Sequence, residues 1–160
     1  MMSGEFATRL PPPVPDTNDI EIGPLTAATI EDNIEAILDI ASEVPCETWA
    51  AAHFLMDLPA KWRLSIAAWA GAVPVAYAIV SEKTPGHAHL HHFMVHRRHR
   101  NGGLGARLLD HTEETARDHG CRSLTLKVYE QNHRAQQFYL RHRYAESGHQ
   151  GEYVIFGRTL

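Results

Sequence analysis

Hydrophobic and polar positions in this chain follow two different periods. Apolar residues alternate with polar ones, as in a strand, over 20–26, 62–70, 73–81, 87–95, 122–128, 144–147 and 152–158. They recur at helical spacing over 29–42, 47–58, 103–119 and 133–141. The resulting order, β-α-α-β-β-β-α-β-α-β-β, predicts an α/β fold in which a single domain has a mixed central β-sheet with helices on both faces.

Length and composition set the expected domain boundaries and the class of partner. The 160 residues suit a single domain, which we expect to span 19–160. Residues 1–18 are proline-rich and contain no continuous apolar run, so we expect a flexible tail rather than a signal peptide or a membrane anchor. The formal charge of −4 argues against nucleic acid and anionic membranes as partners. Cys46 and Cys121 lie far apart in the sequence, which indicates reduced thiols in a cytoplasmic protein.

The most informative stretch is the basic, glycine-containing turn between the strand 87–95 and the helix 103–119. Gly102, Gly103 and Gly105 stand around the first turn of this helix, where backbone N–H groups have no intrahelical partner and no Cβ atom blocks a ligand. A helix end of this kind binds anions, and phosphates above all. Flanking arginines would add positive charge beside it. The sequence therefore predicts a phosphate site at this turn.

Two common phosphate-binding motifs do not fit the turn. A nucleoside-triphosphate P-loop needs Lys and then Ser or Thr after its last glycine, whereas Ala106 and Arg107 follow Gly105. A dinucleotide fingerprint needs a third glycine three residues after the second, where Leu108 stands. The predicted phosphate site is therefore of another type.

The turn and a second stretch downstream both resemble one family. The Arg-Asn-Gly-Gly-Leu-Gly sequence at 100–105 is similar to the Arg/Gln-x-x-Gly-x-Gly/Ala motif of the GNAT superfamily of N-acetyltransferases. The run from Asn132 to Tyr144 resembles the Asn-x-x-Ala-x-x-Phe-Tyr-x-x-x-Gly-Phe element of the same superfamily. It departs from that element in having Arg143 where Gly is usual and Tyr144 where Phe is usual. The two motifs stand in the expected order and cover the region 95–144.

This resemblance implies an activity, a cosubstrate and a class of partner. It implies an enzyme that moves the acetyl group of acetyl-CoA to a primary amine of a small molecule, peptide or protein. The amine would attack directly in a ternary complex, with no metal required. The alternative is a non-catalytic, GNAT-like module that binds or senses acetyl-CoA. The implied partner is an amine-bearing acceptor, and a homodimer is possible.

The resemblance also implies how the cosubstrate is held. The turn would bind the pyrophosphate of acetyl-CoA, strands four and five would splay apart to admit the pantetheine arm, and a backbone N–H of strand four would stabilise the oxyanion. The implied cofactor-binding residues are Met94, Val95, Arg100, Asn101, Gly102, Gly103, Leu104, Gly105, Ala106 and Asn132. Independently of the resemblance, Asn132 is a suitable N-cap for the helix 133–141, and the two roles are compatible.

The strand 87–95 is unusually rich in histidine. Alternation predicts that one face carries His87, His89, His91, Phe93 and Val95 and that the other carries Leu90, His92 and Met94. A His-x-His pair on a strand can place two imidazoles on one metal ion. Because no acidic third ligand is evident, we expect histidines at a solvated strand start rather than a metal site.

Catalysis by such an enzyme needs a base and an acid. An alkyl amine with a pKa of about 10.4 is protonated at neutral pH and cannot attack until it loses a proton. Histidine is suited to accept that proton, and the resemblance puts the general base at His89, with His91 as the next choice and the carboxylates of Glu47 and Glu82 as weaker alternatives. The resemblance also makes Tyr139 the general acid that protonates the departing thiolate. By periodicity alone Tyr139 would be an ordinary core aromatic.

Overall fold

Within residues 19–44 and 48–160, which the computed structural model describes, the chain forms one mixed sheet flanked by helices. The strands are β1 (Ile20–Pro24), β2 (Ile66–Ala70), β3 (Val73–Thr84), β4 (His87–Val95), β5 (Ser123–Tyr129), β6 (Ala145–Gln150) and β7 (Tyr153–Thr159). The helices are α1 (Ala27–Asp32), α2 (Ile34–Ala41), α3 (Ala51–Leu55), α4 (Lys61–Leu64), α5 (Leu104–Asp118) and α6 (His133–Arg141). The predicted tail over 1–18, together with Cys46 and Glu47, lies outside the described residues.

The sheet runs in the order β1-β2-β3-β4-β5-β7-β6. Neighbouring strands are antiparallel except β4 and β5, which are parallel. Helices α1, α2 and α3 pack on one face and α5 and α6 on the other, so the predicted α/β fold with helices on both faces is confirmed. No helix in the described part of the chain is long and apolar enough to span a membrane.

The central strand β3 separates two hydrophobic cores. Ala76, Ala78 and Val80 face a core beneath α5 and α6, whereas Tyr77 and Ile79 face a core beneath α1, α2 and α3. None of these five side chains is exposed to solvent. A strand covered on both sides reads as a nearly continuous apolar run, which is how this segment appears in the sequence. We call the two sides of the sheet the α5 face and the α2 face.

The helix predicted over 29–42 is divided in the structure. It forms α1 and α2, which are separated at Asn33. The side-chain amide of Asn33 donates to the carbonyl oxygen of Thr29 (2.9 Å). An asparagine side chain that bonds the local backbone competes with the helical pattern and ends the helix.

The helical turn α4 replaces the start of the strand predicted over 62–70, which begins only at β2. Lys61, the first residue of α4, is 1% exposed, and its ammonium donates to the carbonyl oxygens of Phe54 (2.5 Å) and Met56 (2.6 Å). These carbonyls end the short helix α3 and have no intrahelical partner. Burial lowers the pKa of Lys61 from its ordinary value, and the nearby carboxylate of Asp57 acts in the opposite direction. Lys61 therefore anchors α3 to the body of the domain.

A β-bulge in β4 changes which side chains share a face. Ile79 pairs with His92 but Val80 pairs with Leu90, so His91 is an extra residue on β4. The α5 face carries Ala88, Leu90, Phe93 and Val95, and the α2 face carries His89, His91, His92 and Met94. The predictions that Phe93 and Val95 share a face with His89 and His91, and that His92 lies on the opposite face, are therefore wrong, because one extra residue reverses the alternation beyond it.

Replacing Lys61 tests its anchoring role. Lys61→Met keeps the apolar stem but leaves the buried carbonyl oxygen of Phe54 and the partly buried one of Met56 without their donor, so we expect the free energy of unfolding to fall by about 2 to 4 kcal/mol. Urea unfolding followed by circular dichroism measures this change. Lys83→Met, at an exposed lysine, is the control and should change the free energy by less than about 0.5 kcal/mol. Equal stability of the two variants would contradict the anchor.

Candidate active site

Strands β4 and β5 pair over only part of their length. Their parallel pairing covers the first four residues of β4 and ends at Leu90↔Leu126. Beyond that pair, β4 continues to Val95 and β5 to Tyr129 without pairing with each other. We call the opening between these two segments the fork. It confirms the splay of strands four and five that the resemblance implies.

The edge of β4 that faces the fork carries backbone donors. The N–H of His96 donates to the carbonyl oxygen of Val75 on β3 (2.8 Å). Because alternate residues of an antiparallel strand bond to the same neighbour, the N–H of Met94 also points to β3, whereas those of Phe93 and Val95 point to the fork. Of the two predicted oxyanion donors, Met94 and Val95, only Val95 thus directs its N–H to the fork, and Phe93 becomes a further candidate. The sequence did not single out Phe93, because its backbone direction depends on the register with β3.

The glycine turn lies between β4 and the N-terminus of α5. Asn101 and Gly103 both have left-handed backbone conformations, with φ of 64° and 85°. A Cβ atom at Gly103 would meet no atom within 4 Å, so the backbone there faces open space. The N–H of Arg107 bonds to the Gly103 carbonyl oxygen (3.1 Å) as the helix begins. The preceding helical N–H groups, which have no partner within the helix, belong to Leu104, Gly105 and Ala106. The turn therefore has the geometry of an anion site.

The arginines of the turn are tied to the end of α2 through Glu43. The Glu43 side chain is 12% exposed, and its carboxylate accepts hydrogen bonds from Arg97 (3.1 Å) and from Arg100. Arg100 also donates through Nε to the carbonyl oxygen of Val95 (3.0 Å). One carboxylate shared by two arginines holds both guanidinium groups beside the turn. Sequence reasoning missed Glu43, because it lies 54 residues from Arg97 and no local pattern links them.

The two predicted bases lie together on the α2 face at the base of the fork. His89 Nδ1 is 2.8 Å from Thr125 Oγ1, and His91 Nε2 is 2.6 Å from Ser81 Oγ. Their ring centroids are 4.8 Å apart. These two bonds do not involve Nε2 of His89 or Nδ1 of His91. Each ring is thus oriented by a hydroxyl group, and its second nitrogen can accept a proton or a hydrogen bond.

Both imidazoles are neutral at neutral pH. Burial, the largest cause, lowers the pKa of His89 and of His91 from 6.5 to about 4. The positive charges of Lys83 and Lys127 act on both rings in the same direction. A neutral imidazole can accept a proton or a hydrogen bond, but a low pKa makes it a weak base.

A cleft of about 490 Å³ opens beside these histidines on the α2 face. Its walls include Trp49, His89, His91, Lys127, Glu152 and Tyr153. The Trp49 ring stacks on His92, with centroids 4.5 Å apart, and His92 Nδ1 is 2.7 Å from the hydroxyl oxygen of Tyr77. This stack fixes one wall of the cleft. Trp49 and Lys127 are not among the predicted site residues, because they are far apart in the sequence and line the same cleft only in the folded protein.

Tyr139 reaches the fork from the α5 face. Its side chain is 6% exposed, and its ring lies against Phe93 (centroids 6.3 Å apart) and Tyr144 (5.6 Å). Because Phe93 belongs to the fork segment of β4, Tyr139 and the two histidines lie on opposite sides of the fork. The Asn132 side chain accepts from the N–H of Ala135 (3.1 Å), so its predicted role as the N-cap of α6 is confirmed.

Of the two acidic alternatives to the histidines, Glu82 lies away from the fork. Glu82 pairs with Ala88 in the closed part of the sheet, and its carboxylate lies 2.9 Å from Nε2 of His119, beyond the end of α5. The structure therefore does not support Glu82 as the base. Glu47 lies outside the described residues. Within 19–44 and 48–160, no group of three or more His, Cys, Asp and Glu residues could hold a metal ion.

Solved acetyltransferase structures share this fold. Ard1 from Thermoplasma volcanium is 21% identical, with a TM-score of 0.76 over 89% of this chain and 98% of that one. The ribosomal-protein-S18-alanine N-acetyltransferase from Escherichia coli is 19% identical, with a TM-score of 0.73 over 88% of this chain and 93% of that one. The PaiA N-acetyltransferase from Thermoplasma acidophilum, in complex with coenzyme A, is 16% identical, with a TM-score of 0.72 over 88% and 99%. At these identities the likeness shows the fold.

Sequence comparison shows the family. No curated protein matches the chain at a significant level. The model of the acetyltransferase (GNAT) family matches residues 34–144, a region that contains β4, the glycine turn, α5, β5 and α6. Both the fork and the turn lie within this match. The chain therefore belongs to the acetyltransferase (GNAT) family.

Proposed function

We propose that this chain is an N-acetyltransferase that moves the acetyl group of acetyl-CoA to a primary amine by direct attack in a ternary complex. The observation that carries the proposal is the fork, which has two neutral histidines on its α2 face and a buried tyrosine on its α5 face. An amine and a thioester that meet there have a proton acceptor on one side and a proton donor on the other. A covalent route through Cys121 is disfavoured, because this thiol is 4% exposed and follows the far end of α5 from the glycine turn.

The glycine turn fits the pyrophosphate of acetyl-CoA. The N-terminus of α5 directs N–H groups toward an anion, and the open space at Gly103 leaves room for phosphate oxygens. Arg97 and Arg100 add positive charge beside the turn. When bound, acetyl-CoA supplies the activated acetyl group, and the N–H of Val95 or Phe93 would donate to the carbonyl oxygen as negative charge develops on it. The structure of the PaiA N-acetyltransferase, which is similar in fold, is that of its complex with coenzyme A, and this supports the assignment.

The low pKa of the histidines restricts which amines can react efficiently. Proton transfer to a base of pKa about 4 from a lysine-like ammonium, with a pKa of about 10.4, is uphill by about 6 pKa units or roughly 9 kcal/mol. From a peptide α-amine, with a pKa of about 8, it is uphill by about 4 units or roughly 5 kcal/mol. An α-amine is therefore the easier acceptor by about 2 pKa units, because its own pKa is lower while the base is the same. One structure of the same fold is a ribosomal-protein-S18-alanine N-acetyltransferase, which agrees with such an acceptor.

A charge placed at the glycine turn tests the pyrophosphate site. Gly103→Glu puts a carboxylate in the predicted phosphate position, so we expect the Kd for coenzyme A to rise at least about tenfold in isothermal titration calorimetry. Gly120→Glu, at a left-handed glycine (φ 95°) beyond the other end of α5, is the matched control, because it imposes a similar backbone strain away from the site. A folded Gly103→Glu variant that binds coenzyme A as tightly as this control would refute the assignment.

Removing the Tyr139 hydroxyl tests the general acid. Tyr139→Phe keeps the ring and its packing, so we expect kcat, measured by release of free thiol, to fall by about 10² to 10⁴ while the Kd for acetyl-CoA and the melting temperature stay near wild type. The control is Tyr144→Phe, which deletes a buried hydroxyl that has no hydrogen-bond partner among the described residues and should leave kcat unchanged. Near-normal kcat in Tyr139→Phe would make Tyr139 a core aromatic only. If acetyl-CoA bound tightly but released no thiol in the presence of any peptide, amino acid, polyamine or antibiotic, the non-catalytic alternative would be favoured.

Replacing the histidines tests the base and its protonation state. With a pKa of about 4, the neutral form is complete above about pH 5 and is lost only as the pH falls through 4, so neither ring titrates between pH 6 and 9. We expect His89→Gln, or failing that His91→Gln, to lower kcat/KM by about 10² at pH 7 and by less at pH 9, where more acceptor amine is already neutral. His87→Gln, which loses only a bond to Ser123, is the control. A break near pH 6.5 in the wild-type profile, absent from both variants, would show that a histidine titrates there and contradict the neutral state.

A further inference from the structure

Lys127 occupies a special place on β5. It follows Leu126, the last residue of β5 that pairs with β4, and is therefore the first residue of the β5 segment that borders the fork. By alternation its side chain shares a face with Thr125, whose hydroxyl contacts His89 on the α2 face. Its side chain is partly buried and lines the cleft beside His91. Lys127 therefore borders the cleft beside the two predicted bases.

The charge of Lys127 has no internal counterpart. Among the residues that the structure describes, none forms an ion pair or a hydrogen bond with this ammonium. On another wall of the same cleft, Glu152 in the turn between β6 and β7 also has no ion-pair partner among the described residues. The cleft thus presents one uncompensated positive group and one uncompensated negative group. A ligand that carries both charges would complement it better than a simple cation.

A lysine at this position works against a purely cationic acceptor. It repels an ammonium substrate, and it also lowers the pKa of both histidines, which weakens them as bases. A cleft shaped only for cationic amines would be expected to carry carboxylates here, because like charges exclude a partner. The presence of Lys127 therefore indicates that the acceptor brings negative charge to this wall.

We propose that the acceptor is a primary amine that carries a carboxylate close to the amino group, and that Lys127 binds this carboxylate while Glu152 attracts the ammonium. This inference rests on the proposed acetyltransferase function and specifies its substrate class. The same chemistry occurs at an acidic peptide N-terminus and in a free α-amino acid. Both sources present a positive and a negative group a few bonds apart, as the two walls of the cleft require.

Matched acceptors provide the first arm of the test. Wild-type protein is assayed by free-thiol release with peptides that begin Ala-Asp-Glu and Ala-Asn-Gln, with free alanine beside its amide, and with free aspartate beside its diamide. We expect kcat/KM to be at least about tenfold higher for each carboxylate-bearing amine than for its neutral match, mainly through KM. A preference for the acidic peptide over free aspartate would identify a peptide N-terminus as the source, and the reverse a free amino acid.

Charge variants provide the second arm. Lys127→Gln should raise KM for the acidic peptide about tenfold and leave KM for the neutral peptide within about twofold, whereas Lys127→Arg should retain the preference and Lys127→Glu should reverse it. Lys83→Gln is the control, because Lys83 also lowers the pKa of both histidines but does not line the cleft. It should leave the preference intact, which separates direct binding from a distant effect on the base.

The outcomes separate the two proposals. Equal kcat/KM for acidic and neutral acceptors in the wild type, or loss of the preference in Lys83→Gln but not in Lys127→Gln, would overturn the role of Lys127 and leave the acetyltransferase function standing. If acetyl-CoA released no free thiol with any of these acceptors or with any other amine, both proposals would be overturned. If Lys127→Gln does not fold, the comparison of Lys127→Arg with Lys127→Glu still decides the question.

Discussion

The short pairing between β4 and β5 is the constraint on which the rest of the site depends. Parallel pairing carried on to Val95 would satisfy the backbones of both strands and close the sheet. Because it ends at Leu90↔Leu126, the facing edges stay available, while β3 and β7 pair with the outer edges of the same strands. The separated strands are held in place by the two cores, one on each face. The fork is therefore stabilised by packing outside it, and its own backbone groups remain for a ligand.

The bulge at His91 gives the fork two chemically different sides. Strict alternation would put Phe93 on the same face as His89, and the aromatic and imidazole groups would compete for one surface. One extra residue leaves His89 and His91 on the α2 face but sends Phe93 to the α5 face, beside Tyr139. Neutral proton acceptors and a phenol hydroxyl are thereby kept apart by the sheet itself. In the proposed reaction, the amine would therefore approach from the α2 face and the thiolate would leave on the α5 face.

Sequence reasoning was sufficient for features that depend on local pattern and insufficient for those that depend on register. The fold class follows from two periodicities, and the turn follows from glycines such as Gly103, whose left-handed backbone is a local property. The bulge left no such signal, and Thr125 meets His89 across 36 residues of sequence. The sequence could not show the protonation state of His89 and His91 either. An ordinary histidine titrates near neutral pH. Only the burial of these two rings in the folded structure lowers their pKa to about 4. Lys127 enters the site through tertiary contact alone.

The two cationic ends of the fork are balanced in different ways, and the difference matches the ligands proposed for them. The net charge of −4 is a poor guide here, because screening over about 8 Å makes local groups decisive. Arg97 and Arg100 already share the carboxylate of Glu43, so an anion must offer more than one negative charge to compete, as a pyrophosphate does. A single substrate carboxylate would gain little by displacing a carboxylate of the protein. A cationic side chain that binds a single substrate carboxylate must instead lack an ion-pair partner within the protein. Among the described residues, Lys127 is the cation at the fork that lacks such a partner.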